Sequence, residues 1–274
     1  MESLISIKPL LAVLVSAFAA IMIMISHRHP NRREAWAVAA AVVKFSIVMS
    51  MVPTILAGNV IEFTVFNILP GVTLAFRVDS IGLLFATTSS FLWIFTIFYS
   101  MGYMRTLNEH AQTRFNTCFA IALSAAMGVA FSANLFTLFL FYEILSLCTL
   151  PLVIHKENKE AWEAGAKYLL YLVGASKSVL LAAIVITYYL TGTLEFSREG
   201  MFAGIEAPTL LTVTFLLYLF GFAKAGLMPV HSWLPAAMVA PTPVSALLHA
   251  VAVGKGGAFS IVRVVVDVFG IDMM

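Results

Sequence analysis

The sequence predicts an all-α integral membrane protein of about eight transmembrane helices, and three observations carry that prediction. Of the 274 residues, 61% are hydrophobic and only 11% are charged, whereas a soluble domain carries about 25% charged residues. The mean hydropathy is +0.97. Eight continuous apolar windows lie at 9–26, 35–57, 80–101, 115–131, 134–154, 164–191, 209–228 and 244–269. Each is long enough for a hydrocarbon core that takes about 20 helical residues to cross. Helix suits such uninterrupted runs because it bonds every backbone N–H and C=O within one segment; barrel strands would alternate in pieces of about 10 residues.

The first window is followed by Arg28, Arg32 and Arg33. That order is the reverse of a cleavable signal and marks an anchor. Between the second and third windows, 58–79 alternates Ile61, Phe63 and Val65 with Glu62 and Thr64 and contains Pro70 and Gly71, so it predicts an extracytoplasmic hairpin instead of a span. The loops 27–34, 102–114 and 155–167 hold Arg28, Arg32, Arg33, Arg105, Arg114, Lys156, Lys159 and Lys167, against Lys8, Arg77 and Arg198 on the other side. Eight cations against three place the first set in the cytoplasm and both termini outside. The seventh window is weakened by Gly221, Gly226, Pro229 and Pro235, and Pro229 cannot donate to Ala225, so this helix is expected to break.

A net charge of +2 gives no basic footprint for nucleic acid. Cys118 and Cys148 stand in separate windows and read as packing residues, with no disulfide framework and no metal ligand set. Thirteen methionines suit adaptable packing. No cofactor fingerprint, cysteine cluster or catalytic triad pattern points to an enzyme acting alone.

The informative residues are charges inside the windows: Lys44, Glu143, Lys177, Lys224, His249 and Lys255. A charge at the centre of a spanning helix costs about 2.5–3.5 kcal/mol even on lenient scales, so such groups face protein or water. Glu143, in FYEILSL, is either a protonated acid bonded to backbone or a relay carboxylate balanced between desolvation and a nearby ammonium. Lys224, in FAKAGLMPVHSWLP, lies at the expected break, where freed carbonyls must meet protein or a wet cavity; the plain alternative is a snorkelling lysine. His231, seven residues on, links this site to cytoplasmic water or is an ordinary loop histidine. Lys255 is flanked by Gly254, Gly256 and Gly257, which allow close approach of water or another helix. His249 lies about 240° away from Lys255 on an ideal helix, so the two share a face only if the glycine stretch unwinds. Lys44 and Lys177 are accessory candidates that join a relay or neutralise a buried carboxylate. Lys8, Arg263 and Asp267, near window ends, are expected to snorkel.

Three motifs resemble one family. LAFRVDSIGLLF (74–85) with FYSMGYM (98–104), FYEILSL (141–147) and FAKAGLMPVHSWLPAAMVAPTPVSALLHAVAVGKGG (222–257) are similar to stretches of the antiporter-like subunits of respiratory complex I, membrane-bound hydrogenases and Mrp-type sodium/proton antiporters. The resemblance implies the carboxylate role for Glu143, the paired-lysine role for Lys224 and central-axis roles for Lys255 and His249. It implies a three-helix N-terminal segment, 1–112, followed by a five-helix half-channel repeat, 113–274, comprising helices four to eight with a broken seventh. Family members have about fourteen helices in two inverted repeats, and this chain matches the first, which implies either a partner chain carrying the second half-repeat or a truncated product. The implied function is proton or sodium/proton translocation within a multi-subunit redox-driven or Mrp-type complex in an energy-converting membrane, that of a prokaryote. The alternatives are a self-powered monovalent cation/proton antiporter subunit or a non-conducting structural subunit. The chain itself is expected to bind no cofactor; iron–sulfur, flavin, nickel–iron or quinone centres would belong to a redox module among its partners.

Overall fold

The computed structural model describes residues 3–247 and 252–270. Strand β1 (Ser3–Ile5) leads into α1 (Lys8–Ile25) and α2 (Pro30–Met49), which gives way at Ser50 and Met51 to the short α3 (Val52–Leu56). Strands β2 (Val60–Leu69) and β3 (Val72–Val78) precede α4 (Ser80–Thr106), α5 (Gln112–Ala130) and α6 (Leu135–Val153). Helix α7 (Lys159–Leu169) continues through two π-helical turns, Leu170–Gly174 and Ser176–Leu180, into α8 (Leu181–Thr191). Then come α9 (Pro208–Gly221), α10 (Trp233–Ala236), α11 (Thr242–Leu247) and α12 (Val253–Arg263), the last prolonged by π-helical Val264–Phe269.

The chain is thus mostly helical, and among the described residues five segments are long and apolar enough to cross a bilayer: 8–25, 30–56, 80–106, 135–153 and 159–191. Helix α9 has 14 residues, about 21 Å at the helical rise, and is too short to cross alone. The eighth window, 244–269, includes 248–251, which lie outside the described residues together with His249.

Local chemistry sets the boundaries. Asp79 caps α4 by accepting from Gly82 N at 2.8 Å. Asn134 does the same for α6 through Thr137 N at 2.7 Å, and Asn158 for α7 through Ala161 N at 2.8 Å. Each supplies an oxygen to a first-turn donor that has no carbonyl of its own. Prolines open α1, α2, α3 and α9, where a missing N–H costs nothing. Gly192, at φ +70°, ends α8.

Helix α5 is the hub. Its Ala120, Ala122, Ala125, Ala126, Gly128 and Ala130 are all buried, and its small side chains let α1 and α6 approach closely. A Cβ at Gly128 would fall 2.1 Å from Phe141 Cγ, so the ring of α6 lies in the space the glycine leaves. Ser124 Oγ donates to Val13 O of α1 at 2.7 Å.

The two ends differ. At one, the three cationic loops meet: Arg105 bonds Glu34 at 2.5 Å, Arg33 bonds Gln112 at 2.7 Å, and Arg114 pairs with Glu157. At the other lies a three-stranded sheet in which β2 pairs antiparallel with β3 and parallel with β1. There Thr73 bonds Glu195 at 2.8 Å and Arg77 bonds Phe196 O at 3.3 Å.

One expectation is overturned at this end. Arg263 and Asp267 do not snorkel: they are 2% and 8% exposed. Arg263 forks onto both carboxylate oxygens of Asp79 and also bonds Asp267 Oδ2 at 2.9 Å. A planar guanidinium holds two carboxylates where a flexible ammonium would not, so pairing inside the protein replaces water.

Candidate functional site

Helix α9 stops at Gly221, earlier than Pro229 predicts. A Cβ at Gly221 would lie 2.7 Å from Leu180 Cα, so the helix end is pressed against the π-helical turn of the α7–α8 segment. Phe222 turns out of the helical region (ψ 50°), Ala223–Ala225 form one tight turn, and Gly226 is left-handed at φ +70°. The freed carbonyls find protein donors: Trp233 Nε1 donates to Ala223 O at 3.0 Å. Gly257 of α12 makes room for the break, since a Cβ there would fall 2.3 Å from Ala225 N and 2.6 Å from Lys224 C.

Lys224 lies in this break and is 0% exposed. Its Nζ donates to Tyr142 O at 2.5 Å and lies 3.0 Å from the Tyr142 ring centroid, while its backbone N donates to Tyr142 Oη at 3.2 Å. The next residue on α6 is Glu143. Its Oε1 accepts from Ser176 Oγ, and its Oε2 is buried with no hydrogen-bond partner. Glu143 and Lys224 make no direct ion pair; they are linked through Tyr142, whose carbonyl takes the Lys224 Nζ and which precedes Glu143 on α6. Ser176 reaches Glu143 from within the second π-helical turn, whose wider winding re-aims side chains. Nearby, Thr149 Oγ1 and Tyr168 Oη share a hydrogen bond at 2.6 Å, and the Tyr168 ring meets Trp233 edge-on at 5.6 Å.

The other expected positions are dispersed. His231 is half-buried beyond the break, its Nδ1 without a partner. Lys255 is exposed on α12, lining a cleft of about 310 Å³ with Ile81, Leu84 and Phe85 of α4. Lys177 is exposed one residue after Ser176. Lys44 is fully buried; its Nζ donates to Leu123 O at 3.0 Å and lies 4.4 Å from the Trp93 centroid. Among the described residues it neutralises no carboxylate. Of the expected positions, Glu143 and Lys224 lie on neighbouring contacts, Lys224 on Tyr142 and Glu143 on Ser176, and neither Tyr142 nor Ser176 was singled out from the sequence. A tyrosine beside the glutamate and a serine in VGASKSV were the available signals.

Residues 132–273, just over half of the chain and the part that holds this cluster, match the family described as NADH:quinone oxidoreductase/Mrp antiporter, transmembrane. The chain belongs to that family. Over 211 residues it is 31% identical to a Na(+)/H(+) antiporter subunit of Alkalihalophilus pseudofirmus, covering 75% of this chain and 26% of that protein. Chains of two solved membrane complexes share its fold. One belongs to the membrane-bound sulfane sulfur reductase, an archaeal respiratory membrane complex (TM-score 0.84, 22% identity, 95% of this chain and 53% of that one). Another belongs to the Mrp complex of Dietzia sp. (TM-score 0.81, 21% identity, 96% and 49%). The chain spans about a quarter of the length of the curated antiporter relative and about half of each solved chain. It is a membrane-embedded, antiporter-like subunit.

Proposed function

We propose that this chain is the first half-channel of an Mrp-type sodium/proton antiporter subunit, handing protons between Glu143, Lys224, His249 and Lys255. One observation carries the reading: Lys224 is fully buried in a broken helix, its ammonium on the carbonyl of the residue preceding Glu143. An ammonium and a carboxylate held apart by one aromatic residue influence each other without locking into a pair, so the protonation of one sets the preference of the other. The unpartnered Glu143 Oε2 is the open acceptor position through which a proton or water would arrive. His231, seven residues beyond Lys224, is the proton's link to the cytoplasm in this reading. Residues 1–112 form the supporting segment and 113–274 the conducting repeat. Lys255, exposed in an apolar cleft, passes the proton to a second half-repeat that covers it, because an ammonium facing lipid at that depth is costly.

The Mrp-type assignment follows the sodium/proton antiporter relatives. A redox-driven assembly is the second reading, favoured by the fold shared with the respiratory reductase chain. Co-purification of iron–sulfur subunits would discriminate the two. For the site itself, Glu143→Ala and Lys224→Ala are each expected to lower cation/proton exchange in everted vesicles at least about tenfold while the complex still assembles. Undiminished exchange in both variants would refute the assignment.

A further inference from the structure

At the end where the cationic loops meet, three ligating side chains converge from two loops far apart in sequence. Glu109 and His110 lie between α4 and α5, and His155 lies between α6 and α7. One ligand atom from each falls within 4.8 Å of the others. His155 Nε2 is 3.7 Å from Glu109 Oε2, and His110 Nδ1 is 4.0 Å from the same oxygen. The two imidazoles stack with centroids 4.7 Å apart and 23° between planes.

A second observation points to a ligand. His155 is 0% exposed, yet both of its ring nitrogens lack any hydrogen-bond partner. Buried polar groups in folded proteins are almost always partnered, and two orphans on one ring call for something not supplied by the chain. The loops are held in place independently. Gln112 Nε2 donates to Met104 O at 3.1 Å and Glu109 O at 3.2 Å, and Arg114 Nη2 donates to His155 O at 3.4 Å. Arg114 is itself neutralised by Glu157.

We propose that Glu109, His110 and His155 form a divalent transition-metal site of the Zn²⁺ class, fastening the α4–α5 loop to the α6–α7 loop. Two imidazoles and one carboxylate are a common zinc donor set, with a fourth position left for water. Zinc bonds of about 2.0–2.1 Å in tetrahedral geometry separate ligand atoms by about 3.3 Å, so closure draws His155 and His110 toward Glu109 from 3.7 and 4.0 Å and rotates the stacked imidazoles until their in-plane lone pairs converge on the ion. Metal takes neutral imidazole, and each ring offers a nitrogen lone pair in that form. Hard oxygen-seeking cations such as Mg²⁺ match this nitrogen-rich set poorly.

The test uses the chain in its assembled membrane complex, stripped with chelator and titrated with ZnCl2, with zinc content and X-ray absorption at the zinc edge as readouts. The wild type is expected to hold one more Zn²⁺ per chain than His155→Gln, with a two-imidazole scattering pattern that excess MgCl2 leaves unchanged. His110→Gln alters an exposed side chain and guards against a folding failure of the buried variant; it is expected to weaken zinc at least about tenfold. Equal zinc content in wild type and His110→Gln, or a pattern without imidazole, would overturn the proposal.

Discussion

At the scale of single residues, burial without a counter-charge distinguishes Lys44 from Lys224. Lys44 contacts a carbonyl and an indole face and, among the described residues, has no acid in ion-pair reach. Apolar replacement of buried ionic groups is often neutral or stabilising. Lys44→Met is therefore expected to leave the thermal midpoint of the detergent-purified complex unchanged or to raise it. A fall of more than about 5 °C, which is over 1 kcal/mol for a chain of this size, would show that the ammonium holds α2 against α5. The sequence exposed Glu143, Lys224 and Lys255 because ionisable residues in apolar windows are costly and conspicuous. It hid Ser176 and Tyr142, since a serine or tyrosine in such a window is ordinary until its contact is known. It also misplaced Arg263 at the lipid boundary, because its partner Asp79 lies 184 residues away.

At the scale of elements, two contacts hold the site in shape. The fork of Arg263 onto Asp79 ties α12 to the first turn of α4. Removing one partner of a buried pair leaves an uncompensated charge, typically costing about 3–5 kcal/mol. Arg263→Met is expected to lower the unfolding midpoint by several degrees, and neutralising Asp79 and Asp267 as well should recover much of the loss; no change in Arg263→Met would contradict the structure. The second contact is Gly257 against the broken helix. Gly257→Ala drives a methyl into backbone at Lys224 and Ala225, which cannot yield as a flexible side chain would. Exchange is expected to fall at least about tenfold with helical content intact, since a displacement of about 1 Å at a catalytic group costs about a hundredfold. Gly102→Ala, where a Cβ meets nothing within 4 Å, is the control expected to behave as wild type. Broken-helix character was legible in the glycines and prolines around Lys224. The location of the break was not, because it is fixed by the fit of Gly221 against Leu180. The π-helical turns that deliver Ser176 have no sequence signature at all.

At the scale of the molecule, the loop charges were legible as a set. The three loops grouped by their arginines and lysines meet at one end through Arg105–Glu34, Arg33–Gln112 and Arg114–Glu157. The parallel strand β1 was not foreseen, because three residues before an apolar helix carry no periodicity. Nor was the Glu109–His110–His155 cluster, whose members are ordinary loop residues until two loops are brought together. The central claim is that Glu143 and Lys224 act as one protonation unit across Tyr142. The most direct test is a double-mutant cycle on cation/proton exchange in vesicles, using Glu143→Ala, Lys224→Ala and both together in the assembled complex. Each single variant is predicted to lose at least about tenfold and the double no more than either single, the non-additivity of groups that act together. Losses that multiply, or exchange that survives either single change, would contradict it.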